Sequence, residues 1–313
     1  GLSIMEWAPL HGILPPLHDA EWRRLFALYQ KIPQFTLLHS DFQLADFQRI
    51  FWLEWIHRLW GRLLGAVFLL PLLWLWASGR IDRTLVKRLL ALFALGGLQG
   101  AVGWFMVASG FFPDSTAVSP YRLVVHLSLA LVLYAAVVWT GFSLLRPRPL
   151  PVRGAALVRR FVIATITLLS ITIVAGGFVA GIHAGLDYNT FPLMDGRLVP
   201  AGYAHLHPFP LNLTENVAAV QFNHRLLATL TGLCALTAVA LGLRADRAAV
   251  PRVPLLALAV LVGLQYTLGV ATLLHIVPVP LAIAHQIGAV LVLTAALMLL
   301  HGLPSGRTNT ARA

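Results

Sequence analysis

Residues 51–76 read "FWLEWIHRLWGRLLGAVFLLPLLWLW", an apolar run that carries Glu54, His57, Arg58 and Arg62 within three helical turns. An ionised side chain at the centre of a bilayer costs about 3 kcal/mol on insertion scales. Either this stretch does not cross a membrane, or its charges have partners. Composition decides between the two. The chain of 313 residues is 58% hydrophobic and 11% charged, whereas soluble domains carry about 25% charged residues. Windows of about 20 apolar residues suffice to cross a hydrocarbon core. Seven such windows are present, near 54–77, 89–110, 121–145, 161–182, 217–243, 253–275 and 281–302. The fold class is an all-α polytopic membrane protein.

The formal charge of +11 would suit a nucleic-acid partner, but its placement excludes that reading. Arg80, Arg83, Lys87, Arg88, Arg146, Arg148, Arg153, Arg159, Arg160, Arg244, Arg247, Arg252, Arg307 and Arg312 all fall in alternate connections or the C-terminal tail. The other connections hold only Arg23, Arg24, Lys31, Arg49 and Arg197. Positive charge accumulates on the cytoplasmic side of membrane proteins, so the first set and the C-terminus face the cytoplasm. Segments 1–53 and 183–216 then face outward. The single cysteine, Cys234, lies inside a span; it excludes an internal disulfide and a thiolate metal cluster, and reads as a small core residue.

The chain repeats itself. "GLSIMEWAPLHGILPP" at 1–16 aligns without a gap on "GLDYNTFPLMDGRLVP" at 185–200. "HRLWGRLLG" at 57–65 matches "HRLLATLTG" at 224–232, and "GLQGAVG" at 97–103 matches "GLQYTLG" at 263–269. "VVHLSLALVL" at 124–133 resembles "IAHQIGAVLVL" at 283–293. The expected architecture is two parallel-repeat four-helix bundles. In that reading an N-terminal half covers 1–145 with its outer segment 1–53, and a cytoplasmic linker covers 146–160. A C-terminal half follows at 161–302, and a tail at 303–313. Span 161–182 has no counterpart after Gly1, so eight spans are expected in the parent, of which seven are visible here.

On this map four histidines share one depth, near the outer ends of their spans. His57 and His126 belong to the first half, and His224 and His285 hold the same places in the second. Two neutral imidazoles facing each other across a bundle suit the axial positions of a haem iron. A zinc ion would want four ligands, often with Cys or carboxylate, and packing alone is the plain alternative for each His singly. Arg58 and Arg225 directly follow a candidate ligand, and Arg122 precedes His126 by one turn. Haem propionates are anions that arginine grips in a bidentate fork; snorkelling to the interface is the competing role. The remaining histidines read as surface or interfacial. Gly61, Gly65, Gly96, Gly100, Gly176, Gly177 and Gly181 leave small faces for close helix packing or for a macrocycle.

The halves differ three residues before the first histidine, where Glu54 stands against Gln221. Positions three apart share a helix face, so Glu54 is expected to look into the first pocket beside His57. An ionisable group is useful beside a reacting haem and idle beside one that only passes electrons. Chemistry is therefore expected in the N-terminal half and a resident haem in the C-terminal half. The alternative for Glu54 is a salt bridge with Arg58 or Arg122.

Taken together, "EWIHRLWGRLLG", "YRLVVHLSLALVLY", "GGFVAGIHAGLDYNTFPLMDG", "VQFNHRLLA" and "PLAIAHQIGAVLVLT" resemble haem A synthase of the mitochondrial and alphaproteobacterial type. The resemblance covers almost the whole chain in order. It implies an oxidoreductase that converts the C8 methyl of haem O to the formyl of haem A, by successive hydroxylations and loss of water. It implies that Glu54 is the essential glutamate, that His57 and His126 ligate the substrate haem, and that His224 and His285 ligate a haem b. It also implies haem O synthase and cytochrome oxidase assembly factors as partners, and a bacterial inner membrane with the haem sites toward the outer face. Segment 1–53 lacks the cysteine pair of the Bacillus-type members, and His183 stands where relatives tend to have Asp.

Two other classes share the histidine frame. A non-catalytic di-haem b-type electron carrier would keep both haems permanently. A transporter on parallel repeats would show broken helices, for which Pro71 is the one midspan candidate considered. The electron donor carries no nicotinamide or flavin fingerprint in this chain. Membrane lipid is a certain neighbour, and a homo-oligomer is compatible with the sequence. Segment "DAEWRRLFALYQ" at 19–30 reads as an amphipathic helix lying on the membrane.

Overall fold

A computed structural model describes residues 2–6, 11–113, 115–146 and 155–304. Part of the expected linker, most of the expected tail, and Arg148, Arg153, Arg307 and Arg312 lie outside the described residues. Among the described residues the fold is helical, with one isolated bridge between Met194 and Arg197. Seven helices are long and apolar enough to cross a membrane. The protein is an all-α, multi-pass membrane protein.

The chain divides into two compact units, Gly1–Leu133 and Tyr134–Ala313. The first contains two short outer helices, α1 (Asp19–Tyr29) and α2 (Pro33–Leu38), then the spans α3 (Leu44–Ala77) and α4 (Arg83–Ala108). It ends within α5 (Pro120–Leu145). The start of α3 is fixed by a reciprocal capping box between Gln43 and Asp46. Asp82 caps α4 by accepting from the Leu85 N–H at 2.7 Å. The 34 residues of α3 make a rod of about 50 Å, longer than a hydrocarbon core of about 30 Å. Ten residues therefore precede the expected start at 54, and the helix runs unbroken through Pro71. That removes the feature that would have favoured a broken-helix transporter.

The outer end of α3 is where the first unit's core sits. Leu2, Trp22, Leu25, Tyr29, Ile32, Phe47 and Phe51 are buried together. The apolar face of α1 is thus spent on α3, with Trp22 edge-on to Phe51 at 4.9 Å, rather than left for lipid. Tyr29 is fully buried and its hydroxyl lies 2.7 Å from Nδ1 of His39. Burial pushes that hydroxyl up to about 12.

The second unit holds α6 (Ala156–Gly181), α7 (Val217–Arg244), α8 (Arg252–Leu274) and α9 (Val279–Gly302). Small residues bring α6 and α7 together, and a buried Thr172–Thr231 hydroxyl pair at 2.9 Å joins them, the polar contact expected between helices in lipid. Cys234 donates weakly to the Phe161 carbonyl at 3.6 Å, in keeping with a core role. The outer segment before α7 has only short 3-10 turns, Ala184–Leu186 and Phe209–Leu213, and is tied together by asparagines. Asn212 donates to the carbonyls of Leu206 and Phe209, and Asn216 to those of Gly202 and Tyr203. Asn216 also caps α7, accepting from the N–H groups of Ala218 and Ala219. One expectation needs correction: His301 is buried in the last turn of α9, edge-on to Trp139 at 5.2 Å. His183 has φ 56, a left-handed conformation in which Asp, Asn and His are all enriched.

Candidate functional site

In the second unit, α7 presents His224 and α9 presents His285, with ring centroids 6.5 Å apart. Two rings bound to one metal from opposite sides, each through a bond of about 2 Å, hold their centroids roughly 6 Å apart. Nδ1 of His224 lies 3.1 Å from the Thr172 carbonyl of α6. A carbonyl only accepts, so Nδ1 carries the proton and Nε2 keeps a free lone pair.

Both rings press on glycine. A Cβ at Gly176 would stand 3.0 Å from Cε1 of His224, and one at Gly269 would stand 2.9 Å from Cε1 of His285. These two glycines let the imidazoles lie against helix backbones, and any side chain there would push a ring out of line. Among the described residues no three His, Cys, Asp or Glu side chains converge as a metal cage. The donor set is two imidazoles, which fits an axially ligated haem.

The first unit repeats half of this frame. His126 on α5 presses on Gly103 of α4, where a Cβ would stand 2.9 Å from its Cε1, matching His285 and Gly269. His57 on α3 is exposed. The Thr172 and Gly176 contacts come from α6, which the repeat aligns with no described residue of the first unit. Sequence reasoning overlooked Gly103 and Gly269, together with Gln99 and Gln265 beside them. The signal was present in the matched "GLQ" and terminal glycine of 97–103 and 263–269.

Glu54 and Gln221 occupy matched positions and bond in opposite senses. Glu54 is buried, and Oε2 accepts from the Ser3 N–H at 2.9 Å, the Ser3 hydroxyl at 2.8 Å and the Ile4 N–H at 3.3 Å. Its Oε1 accepts from Arg58 at 2.7 Å. Gln221 instead donates to the carbonyls of Ala184 and Asp187, at 2.7 and 2.5 Å, and accepts from Arg225 at 2.8 Å. In the repeat Ser3 matches Asp187 and Ile4 matches Tyr188. Arg58 donates to the Ile4 carbonyl at 2.9 Å, and Arg225 to the Tyr188 carbonyl at 2.6 Å. Each arginine thus ties its outer segment to its helix. The salt-bridge alternative for Glu54 is realised with Arg58, so both carboxylate oxygens are engaged by the outer segment and the arginine.

The other propionate candidates also have protein partners. Arg122 donates to the Phe105 carbonyl at 2.8 Å and lies 3.8 Å over the Phe105 ring. Arg225 donates to Thr190 as well, while its Nε is buried with no partner.

The fold and these pairs define a polytopic helical membrane protein with two histidine sites on one repeated frame. Residues 1–297 match the family described as cytochrome oxidase assembly protein. "Heme A synthase" of Granulibacter bethesdensis is 62% identical over 100% of this chain and 83% of its own length. "Heme A synthase 2" of Acidiphilium cryptum is 50% identical over 95% of this chain and 82% of its length. "Heme A synthase" of Rhodospirillum centenum is 49% identical over 95% and 79%. The chain belongs to the cytochrome oxidase assembly protein family.

Proposed function

We propose that this protein is a haem A synthase, oxidising the C8 methyl of haem O to the formyl of haem A. The observation that carries the reading is the facing His224–His285 pair, 6.5 Å apart and pressed on Gly176 and Gly269. The names of the relatives, heme A synthase, support the reading. His224 and His285 would hold a haem b, which when bound supplies one-electron transfer. His57 and His126 would hold the iron of the substrate, haem O. The two hydroxylations together take four electrons from the methyl carbon, so an oxidant and an oxygen donor from outside this chain are required, and loss of water from the resulting geminal diol leaves the aldehyde.

The chain's own groups bind and orient. Glu54, one turn from His57, is placed as a fixed negative charge, since Ser3, Ile4 and Arg58 occupy both of its oxygens. Such a charge favours cationic character developing on the substrate. It also anchors residues 2–6 over the outer end of α3. Arg58, Arg122 and Arg225 stand near the ligands as propionate partners, and the unpartnered Nε of Arg225 is a donor left for that purpose. The sites face the outer side of a bacterial inner membrane, with the C-terminus cytoplasmic, and haem O synthase and cytochrome oxidase assembly factors are the proposed partners.

The test is to express the protein in membranes with a source of haem O, extract the haems and identify them by mass. A synthase yields haem A together with one stable haem b. Two permanent b-type haems and no haem A would establish the electron carrier instead.

A further inference from the structure

The second histidine of each pair has a neighbour that no part of the proposed reaction has used. Gln99 of α4 places Nε2 3.2 Å from Nδ1 of His126 and donates to the His126 carbonyl at 3.1 Å. Gln265 of α8 places Nε2 3.1 Å from Nδ1 of His285 and donates to the His285 carbonyl at 2.9 Å. The same amide meets the same imidazole in both units, one turn from the glycine on which that imidazole rests. His224 is different: a backbone carbonyl already fixes its tautomer.

The other end of each amide is incomplete. Oε1 of Gln99 and Oε1 of Gln265 are buried without a hydrogen-bond partner. A buried amide oxygen lacking a donor costs free energy, and a repeated orphan asks for a ligand-dependent partner. Coordination supplies one. An imidazole that binds a metal through Nε2 must carry its proton on Nδ1. Nδ1–H would then face the Nε2 amino group, donor against donor. A half-turn of the amide about its terminal bond removes that clash and gives Oε1 its hydrogen, in exchange for the Nε2 bond to the histidine's own carbonyl, which keeps its donor within the helix. Gly288 makes room for this amide, because a Cβ there would collide with Oε1 of Gln265.

We propose that Gln99 and Gln265 are positioning residues whose amide oxygens accept from Nδ1–H of His126 and His285, fixing the tautomer and rotation of the second iron ligand in each pair. This rests on the haem-ligand reading above. Gln265 acts on the resident haem b, where the effect is visible without turnover. Gln99 acts on the substrate haem, where it appears in product formation.

The experiment compares Gln265→Leu, Gln265→Glu and Gly288→Ala with His285→Ala in the purified protein. It measures haem b retention and midpoint potential by absorbance. Removing such an outer partner typically lowers metal affinity about 10–100-fold. Gln265→Leu is expected to lose haem in that range and Gly288→Ala less. Gln265→Glu is expected to retain haem at a lower potential, because a carboxylate acceptor pushes electron density onto the imidazole. If Gln265→Leu and Gln265→Glu both keep native retention and potential while His285→Ala loses the haem, the positioning role is wrong and the ligand assignment stands. If His285→Ala keeps the native spectrum, the ligand assignment itself fails.

Discussion

Glu54 and Gln221 differ by one atom type, yet the segments above them differ in hydrogen-bond polarity. Over Glu54 the chain offers N–H groups and a hydroxyl, from Ser3 and Ile4. Over Gln221 it offers carbonyls, from Ala184 and Asp187. The arginine four residues on stays the same and grips the matched carbonyl in both, Ile4 in one and Tyr188 in the other. A buried carboxylate is acceptor-only, whereas an amide can donate, so the exchange required the backbone above it to turn its other face. The charge was thus built in with its surroundings, and the two sites are related frames with locally opposite electrostatics.

A second contrast runs along the spans. Only 6% of the 18-residue apolar stretch of α3, and of α4, is buried, against 22–33% in α6 to α9. A Cβ added at Gly61, Gly65, Gly96, Gly97 or Gly100 of the first unit meets nothing within 4 Å, while Gly176 and Gly269 are filled by the His224 and His285 imidazoles. The glycine under the second histidine is filled in both units, Gly103 by His126 and Gly269 by His285, whereas the spans of the first unit leave more of their surface uncovered.

The largest effect that could break this comparison comes from the ligands. His224→Ala or His285→Ala should abolish the low-spin haem b absorbance, and His57→Ala should leave it intact while stopping haem A formation. Equal loss from all three would mean that the units do not divide the labour. Next in size, Gly269→Val forces the His285 ring aside, and haem b affinity should fall about 10–100-fold, as for other losses of ligand support. Retention titrated by absorbance checks it. Gln221→Glu sets a carboxylate against two carbonyls and should lower the stability of the second unit by about 3 kcal/mol, read from thermal denaturation in detergent. The smallest effect distinguishes the outer segments. The Tyr29 hydroxyl, held neutral by burial up to about 12 against about 10 when unfolded, contributes stability that is complete below pH 10 and lost as pH rises through 12. Hydrogen exchange of residues 17–53 should quicken over that interval. The tyrosines of the asparagine-tied segment before α7, Tyr188 and Tyr203, are only half-buried, so that segment should change less.

Much of this was legible in the sequence because the physics is local. Apolar length gave the spans, and the repeat paired His57 with His224 and His126 with His285. The amphipathic pattern of 19–30 announced α1, although its partner, the overhanging end of α3 at Phe47 and Phe51, lies beyond what hydropathy reports. The surroundings of Glu54 were not legible, since they depend on whether Ser3 turns an N–H or a carbonyl toward the helix. Nor was the burial of His301, which depends on aromatic neighbours from α5. Gly103, Gly269, Gln99 and Gln265 were visible in a matched motif without an assigned role; only the contact with each imidazole gives them one.

Glu54 is where the central claim is most exposed. The protein and its Glu54→Gln variant, expressed with a source of haem O, are compared by mass identification of extracted haems and by the haem b spectrum. The account predicts haem A from the native protein and accumulated haem O from the variant, with the haem b absorbance unchanged in both. Haem A formed by Glu54→Gln at the native rate would contradict it.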